Sequence, residues 1–406
     1  MLPQLPEDVS LLLSTLNNHG YEAYIVGGCV RDSLMGRTPH DWDLTTSATP
    51  EEVKTCFPHT VDTGLAHGTV TVVLHQNNYE ITTYRVEGDY EDCRHPSYVS
   101  FTRNLAEDLL RRDFTINAIA YHPAEGLIDL FGGQKDIENK VIRGVGNPDQ
   151  RFQEDALRML RAIRFASQLD FTIEPVTRNA LQKNAALIQK ISGERIREEL
   201  GKALQNPYPS RLCLLWESSL LPYLFGEDAA EQLHHAQQSI LDTLARLPPG
   251  TALAFAAFLD PLPDMVAKAF LKKLKFDNQT LRTIRTLLSE RQTELSPDPT
   301  SVRRLLSRLG IKRGIALFTL KQAQGNPNAP ACLAEAERIF SRGDCLTIGD
   351  LAISGADLLA LGYPQGKALG DTLQALLDQV LAHPEINQRP LLLSLATSAL
   401  SGQKSF

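Results

Sequence analysis

The sequence of 406 residues has no apolar run near the roughly 20 residues that a membrane-spanning helix requires. Its first residues lack a basic segment ahead of an apolar one, so we expect no targeting segment. No C-x-x-C pair occurs among the six cysteines, which argues against a zinc site, and scattered thiols of this kind are typical of a reduced, cytoplasmic protein. Positive charge is not in excess, because the formal net charge is −7. A nucleic-acid partner therefore requires a local basic surface rather than the charge of the whole chain.

Hydrophobic residues make up 43% of the chain, which is enough for cores in roughly two to four modules. The first third mixes strand-like and helix-like patterns, and helical patterns follow one another from Asn147 onward. Asn147 is predicted to cap a helix that runs past residue 163, and Ser192 to cap the next. We predict strands over 23–26, 43–46, 69–74, 79–85 and 127–130, a hairpin turn at 76–78, and helices over 29–35 and from the capping box at 49–52.

The motif GGCVRD at 27–32 follows an apolar strand, and HDWD follows it at 40–43. A glycine pair at this position lets backbone N–H groups approach a phosphate closely. Asp41 and Asp43 are one residue apart, so on a strand their carboxylates share a face and can hold divalent metal ions together. An isolated D-x-D is more typical of turn-capping aspartates, but the glycine turn directly upstream favours a metal site. The combination indicates nucleotidyl transfer with a two-metal magnesium centre.

Two further residues near this motif have two interpretations each. Arg31 lies one turn into the predicted helix, where it can meet a phosphate near the positive helix terminus or pair with Asp32. Glu80 lies on the predicted strand 79–85, where it can serve as a third metal-binding carboxylate or face solvent. The residues alone leave both questions open.

Asp155 and Arg158 are three residues apart in a predicted helix, so their side chains are expected to be neighbours. Such a pair is by default a surface salt bridge of little energetic value. A carboxylate acceptor beside a guanidinium donor also complements an amino group beside a bare ring nitrogen, which cytosine and adenine present and uracil and guanine do not. Arg161 and Arg164 continue along the same helix and can reach phosphates.

The motif RRDFTINA at 111–118 places two arginines and an aspartate directly before an apolar stretch. If exposed, it is a solvated turn. If it faces the metal site, arginine can hold phosphate while Asp113 and Asn117 hold ribose hydroxyls.

Taken together, these segments resemble the class II tRNA nucleotidyltransferases of the polymerase β superfamily, specifically the bacterial CCA-adding enzymes. The resemblance covers residues 21–204 almost without interruption, in family order and spacing. It is carried by the motifs GGCVRD, HDWD, RRDFTINA, DLFGGQKDIENKVIRGVG, RFQEDALRMLRAIRF and ERIREEL.

The resemblance implies an α+β fold, in which a nucleotidyltransferase head with a small mixed or antiparallel sheet precedes an elongated all-helical neck, body and tail. We place the head at 1–146, the neck at 147–206, the body at 207–297 and the tail at 298–406. It implies template-independent addition of C, C and A to the 3′ end of tRNA from CTP and ATP, with neither a membrane nor a protein partner. The implied site residues are Asp41 and Asp43 for catalysis and Mg2+, and Gly28, Arg31, Arg112, Asp155, Arg158, Arg161 and Arg164 for the nucleotide.

Related activities remain as alternatives. The segment 86–96 stands at full length where enzymes that add only CC lack a loop, so addition of A is expected. Poly(A) polymerases share the head but typically differ where this chain has Glu194 to Leu200, whereas A-only enzymes are too similar to separate. A tRNA-binding protein that keeps the head only as a scaffold is the non-enzymatic alternative.

Basic residues recur between positions 268 and 313, where they can form a positive face despite the acidic total. They are either solvated helix surface or contacts to tRNA phosphates. The set comprises Lys268, Lys272, Lys273, Lys275, Arg282, Arg285, Arg303, Arg304, Arg308, Lys312 and Arg313.

Overall fold

The computed structural model describes residues 5–64, 68–88 and 99–403. It confirms an α+β chain with a sheet near the N-terminus and helices after it. The strands are β1 Ala23–Val26, β2 Leu44–Thr46, β3 Thr60–Gly64, β4 Thr69–Leu74, β5 Asn77–Thr83, β6 Arg85–Glu87, β7 Val99–Phe101, β8 Ile119–His122, β9 Gly126–Asp129, β10 Val141–Ile142 and β11 Thr172–Ile173.

The principal sheet has seven strands in the order β3-β4-β5-β2-β1-β8-β9. Its pairs are antiparallel except for β2 with β5, which run parallel with Leu44 opposite Ile81. The sheet is therefore mixed, as expected. The pairing of β2 with β5 brings the segment after HDWD alongside the strand that carries Glu80.

The helices are α1 Glu7–Asn18, α2 Gly28–Leu34, α3 Pro50–Cys56, α4 Leu105–Leu110, α5 Gly133–Glu138, α6 Pro148–Glu154, α7 Leu157–Leu169, α8 Pro175–Asn184, α9 Gly193–Leu204, α10 Leu214–Glu217, α11 Leu221–Phe225, α12 Glu227–His235, α13 Gln237–Arg246, α14 Thr251–Leu259, α15 Asp264–Leu274, α16 Asn278–Ser289, α17 Pro299–Leu309, α18 Ile311–Ala323, α19 Ala329–Arg342, α20 Gly355–Ala360, α21 Lys367–Ala382 and α22 Arg389–Gln403. Single 3-10 turns are found at Thr115–Asn117, Ala185–Lys190, Pro209–Cys213, Ile348–Asp350 and Pro384–Ile386. In the described part of the chain, no helix is both long and apolar enough to cross a membrane.

Strand β1 shows how the sheet is held on both faces. Ala23 and Ile25 belong to a core that includes the apolar residues of α1 and α3, and Tyr24 and Val26 belong to a second core with Leu109 of α4. Alternate residues of a strand point to opposite faces, so a continuous apolar run is what a strand covered on both sides requires. This rigid strand leads directly into Gly27.

The chain forms two compact units. The first comprises residues 1–237 and 265–276 and contains the sheet. The second comprises residues 238–264 and 277–406, and its core joins α17, α19, α21 and α22 through residues such as Ile339, Val380 and Leu392. The predicted head, neck, body and tail boundaries stay a prediction.

Local signals in the sequence correspond closely to the ends of several elements. Thr49 and Glu52 form the predicted capping box at the start of α3, and the Asn147 side chain accepts from the Asp149 N–H at the start of α6. Ser192 stands at the N-cap of α9 but makes no side-chain cap hydrogen bond. The β4–β5 turn is at His75 and Gln76, both with left-handed φ, one position before the predicted turn.

One helix prediction is wrong. The sequence predicted a single helix from Asn147 past residue 163, but α6 ends at Glu154 and α7 begins at Leu157. Asp155 has an extended backbone, and its carboxylate accepts from the Leu157 N–H at 3.1 Å. Asp155 thus starts a second helix instead of continuing the first, because its side chain caps the new N-terminus.

Candidate active site

The turn from β1 into α2 forms the floor of the candidate site. Gly27 has a φ of 86°, a left-handed conformation that favours glycine. A Cβ atom at this position would lie 3.3 Å from Arg112 Nη1 and 3.8 Å from Asp43 Oδ2. The turn therefore brings a guanidinium and a carboxylate close to one backbone position, where a larger residue is strained by the left-handed φ and requires Arg112 to shift by a few tenths of an ångström. Gly28 is the first residue of α2, and a Cβ there would lie 3.6 Å from Arg31 Nη2.

Asp41 and Asp43 lie immediately before β2, not on the strand as predicted. Asp43 is anchored through its backbone, because its carbonyl accepts from the Val26 N–H at 3.0 Å. The parallel register of Leu44 with Ile81 places Asp43 beside Glu80. Three carboxylates therefore converge at one end of the paired strands β2 and β5.

The electrostatics of Asp43 reflect this arrangement. Asp43 is an exposed residue, yet neighbouring protein atoms partly desolvate its carboxyl, and this desolvation raises its pKa. The charge of Arg112 opposes the shift, whereas the charges of Glu80 and Asp41 add to it. Because the three negative charges repel one another, binding of a cation beside Asp43 is electrostatically favourable.

The donor set fits Mg2+. Oxygen ligands suit this ion, which usually takes one or two carboxylates and completes its shell with water and substrate phosphates. Among the described residues, as placed, no three His, Cys, Asp or Glu side chains are close enough to hold one ion together. Asp41 and Asp43 with substrate oxygens are sufficient for such a site, and Glu80 lies near enough to influence it.

Arg112 is held toward the glycine turn by Asp108. The Asp108 carboxylate is fully buried and pairs with Arg111 at 2.8 Å and Arg112 at 3.2 Å, and it accepts from Thr45 Oγ1 at 3.2 Å. Burial favours the neutral acid, but the two arginines outweigh it and lower the pKa of Asp108. The buried Arg112 Nε finds no hydrogen-bond partner among the described residues.

Arg31 is 5% exposed and makes the Asp32 contact considered for it from sequence, whereas its contact with a phosphate stays a prediction. Its Nε and Nη2 each lie 2.9 Å from Asp32 Oδ1, and its Nη1 donates to Asn117 Oδ1 at 2.7 Å. The Asn117 amide donates onward to Asp113 at 3.0 Å. Arg31 is thereby linked to the RRDFTINA motif while it stays within reach of the glycine turn.

Asp113 joins this network to α7. Arg161 donates to Asp113 Oδ2 through Nε at 2.8 Å and Nη2 at 2.6 Å. Burial would raise the pKa of Asp113, but Arg161 and Asn117 lower it to about 2. Arg161 Nη1 also lies 3.5 Å from Glu199 of α9, and Arg164 Nε lies 2.9 Å from the same carboxylate. The structure therefore brings Arg31, Arg161 and Arg164 into one cluster.

The predicted base-reading residues are near each other but do not pair. Asp155 accepts two hydrogen bonds from Arg195, at 3.1 and 2.8 Å, and Arg158 donates to Glu154 at 2.9 Å. Arg158 also donates to the Arg111 carbonyl at 2.8 Å. The expectation that Asp155 and Arg158 share a helix face fails, because Asp155 lies at the break between α6 and α7.

Sequence reasoning missed Asp108, Glu199 and Phe165 as parts of this site. Glu199 belongs to the motif ERIREEL, so a signal existed, but the motif alone assigns this residue no role. Phe165 likewise ends the motif RFQEDALRMLRAIRF, which assigns it no role. Asp108 carried no signal, because a lone acid in a short helix looks ordinary. The adjacent loop 86–96 cannot be placed whole, since residues 89–98 lie outside the described part of the chain.

The basic residues between 268 and 313 divide into two groups. Arg303 is buried and binds Asp344 and the Leu381 carbonyl, Arg308 pairs with Glu290, and Lys275 pairs with Glu194. These cations stabilise the fold through ion pairs and hydrogen bonds within the protein. Lys272 and Lys273 are exposed on α15 and stay candidates for RNA contacts.

Comparison with known families agrees with this geometry. Residues 23–143 match a family model described as the poly A polymerase head domain. Residues 170–233 match a probable RNA- and SrmB-binding site of polymerase A, and residues 250–396 match a putative tRNA nucleotidyltransferase domain 2.

Curated relatives match over nearly the whole chain. A CCA-adding enzyme of Geobacillus sp. (strain WCH70) is 40% identical over 93% of this chain and 92% of its own length. A CCA-adding enzyme of Enterococcus faecalis (strain ATCC 700802 / V583) is 38% identical over 100% of this chain and 99% of its own. Among solved structures, the Bacillus stearothermophilus CCA-adding enzyme in complex with CTP is 33% identical, with a TM-score of 0.85 and 99% of both chains covered. This chain belongs to the CCA-adding enzyme family of nucleotidyltransferases.

Proposed function

We propose that this protein adds C, C and A, without a template, to the 3′ end of tRNA from CTP and ATP and releases pyrophosphate. Family membership over the full chain supports the reaction. The observation that carries it is the position of Gly27, where Asp43 and Arg112 both approach a left-handed turn that favours glycine. A metal-binding carboxylate beside a phosphate-binding guanidinium is what transfer from a nucleoside triphosphate requires.

Each residue of the centre has a defined task in this proposal. Arg112 and Arg31 hold the triphosphate, and the N–H groups at the start of α2, beginning with Gly28, lie beside it. Asp41 and Asp43 hold Mg2+, with Glu80 adjacent. When bound, two Mg2+ ions lower the pKa of the attacking 3′ hydroxyl and neutralise charge on the departing pyrophosphate. The hydroxyl attacks the α-phosphate in line.

Base selection is assigned to Asp155 and Arg158, with Arg161 and Arg164 supporting the nucleotide. Cytosine and adenine offer an amino donor to the carboxylate and a bare ring nitrogen to the guanidinium, whereas uracil and guanine offer the reverse. Arg195 already holds Asp155 and Glu154 already holds Arg158. A base therefore adds to or replaces these contacts when it binds.

The remaining assignments concern the partner and the setting. We propose that the body and tail hold tRNA through phosphate contacts that include Lys272 and Lys273, and that the head, neck, body and tail follow the boundaries at residues 146, 206 and 297. We place the protein in the cytoplasm, where tRNA, CTP and ATP meet.

An extension assay tests the reaction. A tRNA transcript that ends before CCA is incubated with CTP alone, ATP alone or both, in the presence of Mg2+. We expect two additions with CTP, three with both nucleotides and none with ATP alone. Absence of extension with both nucleotides contradicts the proposal.

A second candidate is A addition alone, either to a finished CC end or as a poly(A) tail, and the match of residues 23–143 to a poly(A) polymerase head favours it. Repeated addition from ATP alone onto a bare 3′ end identifies a poly(A) polymerase. Extension restricted to a tRNA that already ends in CC identifies an A-only enzyme.

A further inference from the structure

Phe165 lies at the centre of the arginine cluster. Its side chain is buried, and the guanidinium carbons of Arg31, Arg161 and Arg164 lie 5.1, 5.3 and 4.2 Å from its ring centroid. A cation within about 6 Å of a ring face is attracted by the negative face of the aromatic quadrupole. Arg31 comes from α2, whereas the other two arginines share α7 with Phe165. The ring thus joins cations from separate elements.

The arginines have carboxylate partners mainly at their edges. Arg31 pairs with Asp32, Arg161 with Asp113, and Arg164 with Glu199. The in-plane N–H groups of a guanidinium make such pairs, while its flat face is free to stack. Phe165 therefore contacts these cations without taking up the N–H donors that a phosphate needs.

The charge balance differs within the cluster: Asp113 and Glu199 outweigh burial at Arg161 and raise its pKa, whereas burial and the neighbouring cations outweigh the carboxylates at Arg164. Burial lowers the pKa of Arg164, Glu199 opposes this shift, and the charges of Arg161 and then of Arg31 add to it. Cations forced together in a buried place move apart unless something holds them. Phe114 packs edge-on against Phe165 at 5.9 Å between centroids, which keeps the ring from turning away.

We propose that Phe165 is a positioning residue for the nucleotide triphosphate: its π face holds Arg31, Arg161 and Arg164 together and oriented before CTP or ATP binds. This inference rests on the proposed function. It assigns to Phe165 no contact with the nucleotide. Because the triphosphate is common to both substrates, the ring supports CTP and ATP equally and takes no part in base choice.

The experiment replaces Phe165 by phenylalanine carrying one, two, three and five ring fluorines, introduced at that codon by an unnatural amino-acid system. Fluorine withdraws the negative charge of the ring face in steps while shape and apolarity change little. The dissociation constants of CTP and ATP are measured by equilibrium dialysis, and KM and kcat by tRNA extension. The control is the same series at Phe171, which is also buried and has no guanidinium over its ring among the described residues.

We expect the dissociation constants of CTP and ATP to rise together with each fluorine, by about tenfold across the Phe165 series. KM should follow them while kcat stays within about twofold, because the lost interaction is common to bound substrate and transition state. The Phe171 series should change neither quantity. A purely structural Phe165 gives flat dissociation constants, because its packing is retained.

Two results overturn the inference: dissociation constants that stay flat across the Phe165 series, or an equal rise in the Phe171 series. The test is separable from the proposed function. An unmodified protein that fails to extend tRNA contradicts the function, whereas an active protein with flat dissociation constants contradicts only the role of Phe165. Nucleotide dialysis still tests the ring if extension fails.

Discussion

At the scale of single residues, the charge of Asp43 favours metal binding but lowers the stability of the folded, metal-free protein. Burial raises its pKa, and Glu80 and Asp41 contribute to the shift. A carboxyl whose folded-state pKa is raised costs no stability below its ordinary value of 3.8; the cost grows as pH rises above that value and is complete above the raised pKa. At neutral pH the charged Asp43 therefore destabilises the metal-free protein.

We therefore expect Asp43→Asn to raise the melting temperature of the metal-free protein by about 1–3 °C, because it removes this unfavourable charge. The same change should reduce nucleotide addition by at least about a thousandfold, because a metal ligand is lost. Calorimetry and the extension assay measure the two effects. The control is Asp371→Asn on α21, which should alter neither. A lower melting temperature for Asp43→Asn contradicts this account of the site.

Residue type and spacing in the sequence identified candidate functional residues. They did not identify which residues form ion pairs and hydrogen bonds with them. Asp41, Asp43, Arg31 and Arg112 stand in motifs with recognisable spacing, so the sequence alone was enough to propose a candidate site. Nothing local indicates that Arg195, 40 residues away, binds Asp155. Pairings across such distances depend on how helices pack, and this information is spread over the apolar residues of many elements.

At the scale of elements, the junction of β1 and α2 is the most constrained point of the site. Gly20 and Gly27 have the same φ of 86°, but a Cβ at Gly20 meets nothing within 4 Å whereas one at Gly27 meets Arg112. Substitutions at the two glycines can therefore distinguish the effect of backbone strain, which both share, from the effect of the close contact with Arg112, which only Gly27 has.

Gly20→Ala and Gly27→Ala should each lower stability by about 1 kcal/mol through the left-handed backbone. Only Gly27→Ala should weaken triphosphate binding, by about tenfold or more, because it displaces Arg112 from the turn. Denaturant titration and nucleotide dialysis measure the two quantities. Equal nucleotide affinities in both variants would show that the close approach at Gly27 has no role.

The break between α6 and α7 makes Arg158 the second residue of a new helix. Arg158→Gln should relax selection, with the ratio of UTP to CTP incorporation rising about tenfold, because the donor that uracil cannot match is removed. Some stability should also be lost, since Arg158 donates to Glu154 and to the Arg111 carbonyl. Competition assays with paired nucleotides measure the ratio, and Arg178→Gln at an exposed position of α8 is the control. Continued exclusion of UTP would contradict base reading by Arg158.

Element predictions succeeded where a cap or an apolar run fixes an end, as at Thr49 and Asn147. The prediction of one continuous helix failed at Asp155, because the apolar residues on both sides of it recur at helical spacing. A side chain that caps the following N–H competes with helix continuation, and periodicity does not reveal which wins.

At the scale of the whole molecule, an acidic chain must hold a polyanion through local surfaces. Reversing two exposed charges with Lys272→Glu and Lys273→Glu should weaken tRNA binding and lower the slope of log affinity against log salt by about 2. The identity of the added nucleotide should not change. The matched control reverses Lys135 and Lys140, exposed in the first unit. Filter binding across a salt series measures the slope, and an unchanged slope in the first variant contradicts this assignment.

The parallel pairing of β2 with β5 has a kinetic consequence. Asp43 directly precedes β2 and Glu80 lies on β5, so their approach requires two strands that are separated in sequence to pair, and β1 must also pair with β2 and β8. Non-local pairings of this kind form late, since loop closure precedes any gain from contact, whereas helices form from neighbouring residues. During renaturation, nucleotide-addition activity should therefore recover more slowly than helical content, and a nascent chain should stay inactive until α7, which carries Arg158, Arg161 and Arg164, has emerged from the ribosome.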